Sequence, residues 1–278
     1  MARQRGTKMK KKKTLWLICM AGLLLMVYTI VVSRMERMEQ VINVDGTLAN
    51  KDSMSYIDLN ATETPEPTVD IWPQIDITLN QYTIVNDDNL LSPVFEPDDT
   101  SVISITNYMR FDTAALPYLE ALIQDMQDAG FNVYVGGAYR SYSFQEQLFN
   151  GKASQIAAGF GVSDYMDPRY QEAVKEARTI TMFPGSSEHQ LGLAVDLMDK
   201  AYTRLVYENM DQDFFEYLDA HCAEYGFIKR YPTRKLLLTG WDEPWHYRYV
   251  GVEAATFIME NGLCYEEFYA HYDPEFEY

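Results

Sequence analysis

An uncharged run of eighteen residues, Leu15 to Val32, constrains this 278-residue chain more than any other feature of its sequence. It reads LWLICMAGLLLMVYTIVV and follows the lysines at positions 10–13. A run of this length is near the minimum for a helix that crosses a bilayer. Lysines on its N-terminal side predict that the N-terminus stays in the cytoplasm and that everything downstream lies outside. We therefore expect a cytoplasmic basic segment at residues 1–14 and a single-pass transmembrane anchor in the cell membrane at residues 15–33.

Two other interpretations of this apolar run stay open. Val31 and Ser33 are small enough for a signal-peptide cleavage site, but the run is longer than the ~7–15 apolar residues of a usual signal peptide, which favours a retained anchor. Cys19 is a weaker candidate for lipid attachment, because it lies inside the apolar run without flanking signals.

The acidic charge of the chain lies entirely downstream of the apolar run. The first 34 residues hold eight of the 23 basic residues and none of the 41 acidic ones, so the remainder carries a net charge of −26. Such a body repels nucleic acid and other anionic polymers, which excludes nucleic acid as an expected partner.

Residues 34–80 have the composition of an extracytoplasmic stalk. ATETPEPTVD is polar, rich in Thr, Pro and Glu, and shows no sustained period. A flexible stalk of this length would span about 40 Å on average and roughly 150 Å when stretched. That reach suits a target held in the cell wall, although a spacer without a geometric role stays open.

Residues 81–278 are expected to form one α+β domain, in which helices and strands alternate along the chain without an internal repeat. A capping box of Ser143 and Glu146 predicts the start of a short helix. The other predicted elements are a helix from Thr113 to Ala129, a buried strand FNVYVGG, a helix from Asp167 to Arg178, a helix with an apolar stripe at Phe214, Phe215, Leu218, Cys222 and Tyr225, a strand WHYRYV, and a last helix from about Val252 to Gly262.

Acids and histidines concentrate in two short stretches of this domain. In LGLAVDL, alternation places Val195 and its aliphatic neighbours on one face of a strand and Asp196, among small residues, on the other. His189 lies just before this strand, where a turn would bring its imidazole beside Asp196. In WDEPWHYRYV, His246 shares a strand face with Arg248, and Glu243 lies three residues earlier.

Two histidines and an aspartate suit zinc and leave a fourth position for water, whose proton a nearby glutamate can take. The same residues also suit a hydrogen-bonded core that holds no metal. Spacing alone leaves both interpretations open.

The motifs themselves add a resemblance. SEHQLGLAVD fits a Ser-x-His-x-x-Gly-x-Ala-x-Asp signature and EPWH fits a Glu-x-x-His signature, and both resemble the VanY-type zinc D-alanyl-D-alanine carboxypeptidases. AYRSYSFQ, GFIKRYP, TGWDEPWHYRYVG and YTIVNDDNLLSPVFEPDD look like the same family. The resemblance implies the hedgehog/DD-peptidase fold, which has a central, mainly antiparallel sheet flanked by helices.

Carried onto this sequence, the resemblance implies that His189, Asp196 and His246 bind one zinc ion. It implies that Glu243 is the general base that activates the zinc-bound water. Every residue that the two signatures require is present.

The resemblance also implies roles for residues outside the two signatures. Arg140 would stabilise the oxyanion at the scissile carbonyl, and Gln145 and Ser187 would contact the substrate. The alternatives are a surface ion pair for Arg140 and simple helix capping for Gln145 and Ser187.

The function expected from the resemblance is removal of the terminal D-alanine from peptidoglycan stem peptides outside the membrane. L,D-carboxypeptidase or D,D-dipeptidase activity stays open, because the zinc chemistry is shared and the pocket decides. A non-catalytic, zinc-containing wall-binding module is the alternative from another class. The sequence does not address oligomeric state, nor whether the role is wall maturation or glycopeptide resistance.

The remaining cysteines and histidines are expected to be structural. Cys222 and Cys264 both lie outside the membrane, so a disulfide between them is open. His221 and His271 are interpreted as ordinary polar residues, in a helix and in an acidic tail respectively.

Overall fold

The computed structural model describes residues 72–278. The predicted anchor at residues 15–33 and residues 34–71 of the predicted stalk lie outside the described residues. Within the described part, no helix is both long and apolar enough to span a bilayer. Trp72, Ile75 and Ile77 pack against a buried apolar cluster. Packed residues therefore begin before residue 81, within the stalk that was predicted at residues 34–80.

The described residues form an α+β domain. Its strands are β1 (Thr100–Val102), β2 (Arg110–Asp112), β3 (Tyr134–Gly137), β4 (Ala194–Met198), β5 (Phe227–Tyr231) and β6 (Glu243–Tyr249). Its helices are α1 (Leu116–Asp128), α2 (Tyr142–Gly159), α3 (Pro168–Ala177), α4 (Gln212–His221), α5 (Leu236–Thr239), α6 (Val252–Glu260) and α7 (Tyr265–Tyr272).

The central sheet has four strands in the order β3-β4-β6-β5, and every neighbouring pair is antiparallel. β1 and β2 form a separate antiparallel pair. The expected α+β class with a mainly antiparallel sheet is confirmed. The prediction that FNVYVGG is a buried strand is wrong, because β3 is the edge strand of the sheet, and there Tyr134 is 40% exposed while Val135 is buried.

The two faces of the central sheet carry different residues. Val195, Leu197 and Tyr247 belong to the main apolar core, together with buried side chains of α1 and α4. Asp196 and His246 alternate with these residues and so lie on the opposite face. The alternation predicted from LGLAVDL is therefore confirmed. It places Asp196 and His246 on the face of the sheet that points away from the apolar core.

Most predicted helices are present, but two predictions about them are wrong. α2 is capped by Ser141, whose hydroxyl accepts a hydrogen bond from the Phe144 amide at 3.3 Å, and not by a Ser143–Glu146 box. The chain is still extended at Ser141, so the helix starts earlier than predicted and runs for 18 residues. The helix after β6 is not the last, because α7 follows it and contains His271, which stacks on Trp72.

The sequence left a disulfide between Cys222 and Cys264 undecided. In the structure this bond is not formed, and both residues are buried free thiols. Cys222 packs in the main apolar core, whereas Cys264 caps α7 together with Glu267. His221 pairs with Glu224 at 2.9 Å, as expected for an ordinary polar residue.

Candidate active site

The three residues predicted to bind metal come together on one face of the sheet. Asp196 on β4 and His246 on β6 are direct partners in the strand register. His189 lies in a 3-10 turn, Glu188–Leu191, that precedes β4 and ends at Gly192 with φ of +75°. One ligand atom from each of the three lies within 4.8 Å of the others. Two imidazoles and a carboxylate in this arrangement are a donor set that fits zinc and leaves a coordination position open.

Hydrogen bonds select which ring nitrogen of each histidine faces the centre of this cluster. His189 donates through Nδ1 to the Ala138 carbonyl at 2.8 Å, so its Nε2 faces Asp196 Oδ2 at 3.3 Å. His246 has the opposite arrangement, with Nδ1 facing Asp196 Oδ1 at 3.1 Å and Nε2 facing Glu188 Oε2 at 3.4 Å. A ligand histidine is commonly fixed in this way by a partner on its other nitrogen.

The local electrostatics favour two of the protonation states that a metal requires. Burial lowers the pKa of His189 to about 4, so its imidazole is neutral. Burial would raise the pKa of Asp196, but His189 and His246 lower it below the usual range. Burial would likewise lower the pKa of His246, but hydrogen bonds to Asp196 and Glu188 raise it to about 9. His246 must therefore release a proton when a metal binds.

A glycine on the neighbouring strand makes room for this cluster. Gly137 is the register partner of Asp196 across a bulge in β3. A Cβ atom on Gly137 would lie 2.5 Å from Asp196 Oδ2 and 3.3 Å from His189 Cε1. Our sequence analysis missed this requirement, although the Gly-Gly pair that ends FNVYVGG is a signal of close backbone approach.

Glu243 and Arg140 flank the group formed by His189, Asp196 and His246, which we call the metal-ligand cluster. The Glu243 carboxylate lies 3.8 Å from His246 Nδ1, and burial raises its pKa to about 7. A carboxylate with a pKa near neutrality is well suited to accept and return a proton. The main-chain amide of Arg140 donates to the His189 carbonyl at 3.0 Å, which fixes this residue beside the cluster. Burial lowers the pKa of Arg140, against the attraction of Asp196 and Glu243.

A cleft of about 250 Å³, which we call the catalytic cleft, opens beside these residues. Gln145 and Ser187 line it, and both are buried. Gln145 donates through Nε2 to the Met182 carbonyl at 2.6 Å, whereas its Oε1 and the Ser187 hydroxyl have no partner. Neither side chain caps a helix, so the capping alternative fails for both. The catalytic cleft is lined by Arg140, Gln145, Leu148, Lys152, Ile180, Thr181, Met182, Ser187, His189, Asp196, Leu205, Glu243 and Trp245.

Behind His246 lies a set of fully buried charges, which we call the buried ion network and which consists of Glu188, Arg230, Arg248 and Glu266. Glu188 Oε1 accepts hydrogen bonds from Arg230 at 2.8 Å and Arg248 at 2.9 Å. Arg230 also makes a bidentate pair with Glu266 at 2.9 and 2.6 Å. Burial would raise the pKa of Glu188, but the two arginines hold it well below its usual range. The carboxylate that fixes His246 is therefore ionised.

Our sequence analysis missed this network as a functional unit. Arg248 was placed on the strand face of His246, and Arg230 was quoted within GFIKRYP. Glu188 is the acid between the serine and the histidine of SEHQ, and its place within that motif was the signal that could have identified it. Glu266 gave none, because it follows the last predicted helix, which ended at Gly262, and belongs to none of the motifs.

A zinc complex of a variant of the vancomycin-resistance D,D-pentapeptidase VanY is 34% identical, with a TM-score of 0.57 over 68% of this chain and 99% of that one. The LD-carboxypeptidase LdcB is 27% identical, with a TM-score of 0.57 over 68% of this chain and 85% of that one.

Sequence relatives agree with the structural ones. A D-alanyl-D-alanine carboxypeptidase of Enterococcus faecalis is 35% identical over 181 residues, which are 65% of this chain and 63% of that protein. The match therefore spans less than two thirds of that relative. The VanY family, described as D-alanyl-D-alanine carboxypeptidase, matches residues 108–252, more than half of this chain. With the signature residues gathered in one site, this chain belongs to the VanY family.

Proposed function

We propose that this protein is a zinc D-alanyl-D-alanine carboxypeptidase that removes the terminal D-alanine from peptidoglycan stem peptides. The observation that carries the proposal is the buried His189–Asp196–His246 cluster, with Glu243 beside it and the catalytic cleft in front. Membership of the VanY family and the relatives' activities support the substrate class.

In this proposal the three ligands hold one zinc ion, and Glu243 and Arg140 act on the substrate. When bound, zinc supplies a Lewis acid that polarises the scissile carbonyl and acidifies a water molecule. Glu243 accepts the proton of that water and returns it to the leaving amine, which requires a pKa near neutrality. Arg140, held by its main chain beside His189, offsets the negative charge that develops on the carbonyl oxygen.

The unpartnered atoms of Gln145 and Ser187 are assigned to the peptide. Because Gln145 Nε2 is already used by the Met182 carbonyl, the free Oε1 is an acceptor and takes an N–H of the substrate. The Ser187 hydroxyl is free to donate to a carbonyl or carboxylate oxygen. Together they fix the direction of the peptide across the catalytic cleft.

Mass spectrometry of muropeptides incubated with the zinc-loaded, full-length protein tests this proposal. Loss of one D-alanine from pentapeptides, with tetrapeptides left intact, is the expected result. Shortening of tetrapeptides would indicate an L,D-carboxypeptidase, and hydrolysis of free D-Ala-D-Ala, added as a separate substrate, would indicate a D,D-dipeptidase. Stoichiometric zinc without cleavage of any wall peptide would replace the proposal with a non-catalytic wall-binding module.

We also propose that residues 15–33 anchor the protein in the cell membrane, with the peptidase domain outside. The lysines before the apolar run support this orientation. Protease added to intact protoplasts is expected to remove the domain while a cytoplasmic marker survives. Survival of both the domain and the marker would contradict it.

A further inference from the structure

Lys152 lies in the catalytic cleft but has no role in the chemistry described above. It is half-buried on α2 and lines the cleft with Gln145 and Leu148. These three residues are spaced i, i+3 and i+7, so they share one face of the helix. The cleft therefore has the metal-ligand cluster in one part of its wall and an ammonium group in another.

The ammonium group of Lys152 is unpaired. Within residues 72–278 it has no hydrogen-bond or ion-pair partner. The helix positions that could pair with it hold Leu148, Phe149, Gln155 and Ile156, none of which is acidic. The half-buried position of Lys152 limits its access to water. Such a group is available to an anion that enters the cleft.

The position of Lys152 relative to Gln145 fits a ligand that spans the cleft. The two residues are seven positions apart, which is about 10 Å along the helix axis. Helical side chains lean toward the helix N-terminus, so the ammonium group extends from Lys152 toward Leu148 and Gln145. It thus approaches the part of the cleft where Gln145 Oε1 and the Ser187 hydroxyl are unpartnered.

We propose that Lys152 binds a carboxylate of the peptide substrate; this rests on the proposed function. At about 250 Å³ the cleft is smaller than the ~300–1,000 Å³ of pockets for drug-sized ligands, so it suits the end of a small peptide. The proposed function already uses Arg140 at the scissile carbonyl, and Asp196 and Glu243 attract its guanidinium group. Lys152 is then the cation left for a carboxylate, either at the C-terminus of the peptide or on a side chain.

Binding to full-length, zinc-loaded protein carrying Glu243→Gln tests the proposal without turnover. The probes are acetyl-L-Lys-D-Ala-D-Ala, its C-terminal amide, and acetyl-L-Glu-D-Ala-D-Ala. Lys152→Met is expected to weaken binding of a carboxylate probe by roughly 10- to 100-fold, the usual effect of losing a charged hydrogen bond. Lys152→Arg should retain most of the affinity, and Lys175→Met on the exposed face of α3 is the matched control.

The probes identify the source of the carboxylate. Weaker binding of the free acid but not of the amide assigns the C-terminal carboxylate. A loss confined to the Glu peptide assigns a side-chain carboxylate. Three results would overturn the proposal. In the first, Lys152→Met weakens binding of the acid and the amide equally, without an added loss for the Glu peptide. In the others, Lys152→Met binds every probe with parental affinity, or the protein with Lys152 intact binds none of them. If Lys152-dependent binding is seen but muropeptides stay intact, the carboxylate site stands and the proposed peptidase function fails.

Discussion

The two sides of the metal-ligand cluster differ in how their polar side chains are satisfied, apart from the hydroxyl of Tyr265, whose ring lies against Arg230 and Arg248 at the back and which also has no partner. Behind His246, the charged side chains of the buried ion network hydrogen-bond to one another although no solvent reaches them. In front, the catalytic cleft holds Gln145 Oε1, the Ser187 hydroxyl and Lys152 without partners in the described chain. Buried polar atoms are rarely left unpaired, because each one costs free energy of folding.

The contrast indicates two different roles. A network whose charged groups are all hydrogen-bonded fixes the position of a neighbouring residue, and here Glu188 fixes His246. Unpaired polar atoms that line a cleft are instead available to a ligand. Changes behind the cluster should therefore reduce stability, whereas changes in front should reduce catalysis alone.

The largest effect is expected at the cluster itself, which the two sides share. His246→Ala should lose both zinc and activity, since the two remaining ligands hold zinc poorly. His221→Ala, at a partly exposed histidine that pairs with Glu224 away from the cluster, should keep both. Elemental analysis after dialysis measures the zinc content. Full zinc occupancy in His246→Ala would show that the ligands are wrongly assigned.

Glu243→Gln comes next and tests the front of the cluster. Glutamine keeps the shape of the side chain but cannot accept the proton, so turnover on a D-Ala-D-Ala peptide should fall by roughly 10²–10⁴-fold. Zinc content and melting temperature should stay near those of the parent. Near-parental turnover would remove Glu243 from the chemistry, and loss of zinc would make it a ligand.

Arg230→Met tests the back of the cluster. It leaves Glu188 and Glu266 buried without their shared cation, and breaking a buried pair in this way costs about 3–5 kcal/mol in the free energy of unfolding. Urea denaturation of the zinc-free protein measures this. Arg169→Met removes an exposed ion pair with Asp167 and should leave stability unchanged. Equal stability of the two variants would contradict a structural role for the network.

The smallest effect is expected for Ser187→Ala. Because the buried hydroxyl has no partner, its removal should leave the melting temperature unchanged or slightly raised. The kcat/KM on a D-Ala-D-Ala peptide should still fall by about tenfold, the usual value of one hydrogen bond. A fall in melting temperature with unchanged kinetics would place Ser187 among the structural residues.

Local patterns predicted much of the site. Alternation in LGLAVDL placed Asp196 on the face away from the core, and the signatures named the residues that the structure brings together at His189 and His246. These features depend on spacing within short stretches of chain, which sequence periodicity records directly.

The features that the sequence did not predict depend on pairings between distant segments. The edge position of β3 is set by which strands pair, and a strand's own residues do not encode its neighbours. The partners of Glu188 lie 42, 60 and 58 positions away, at Arg230, Arg248 and His246. The start of α2 was misplaced because Ser141 and Ser143 are both residues that cap helices, and the extended backbone of Ser141 makes it the cap.

Arg248 also donates hydrogen bonds at 3.0 and 3.1 Å to the main-chain carbonyls of Gln81 and Thr83, far upstream of β6. Glu266 on α7, downstream of β6 in the sequence, accepts hydrogen bonds from Arg230 of the same network. Both attachments lie outside residues 108–252, the segment that matches the VanY family model. A chain cut at those limits would keep the proposed metal ligands and the proposed base, yet two buried guanidinium groups would lose acceptors. A chain cut to residues 108–252 is therefore expected to be less stable, and shorter versions must keep both flanks.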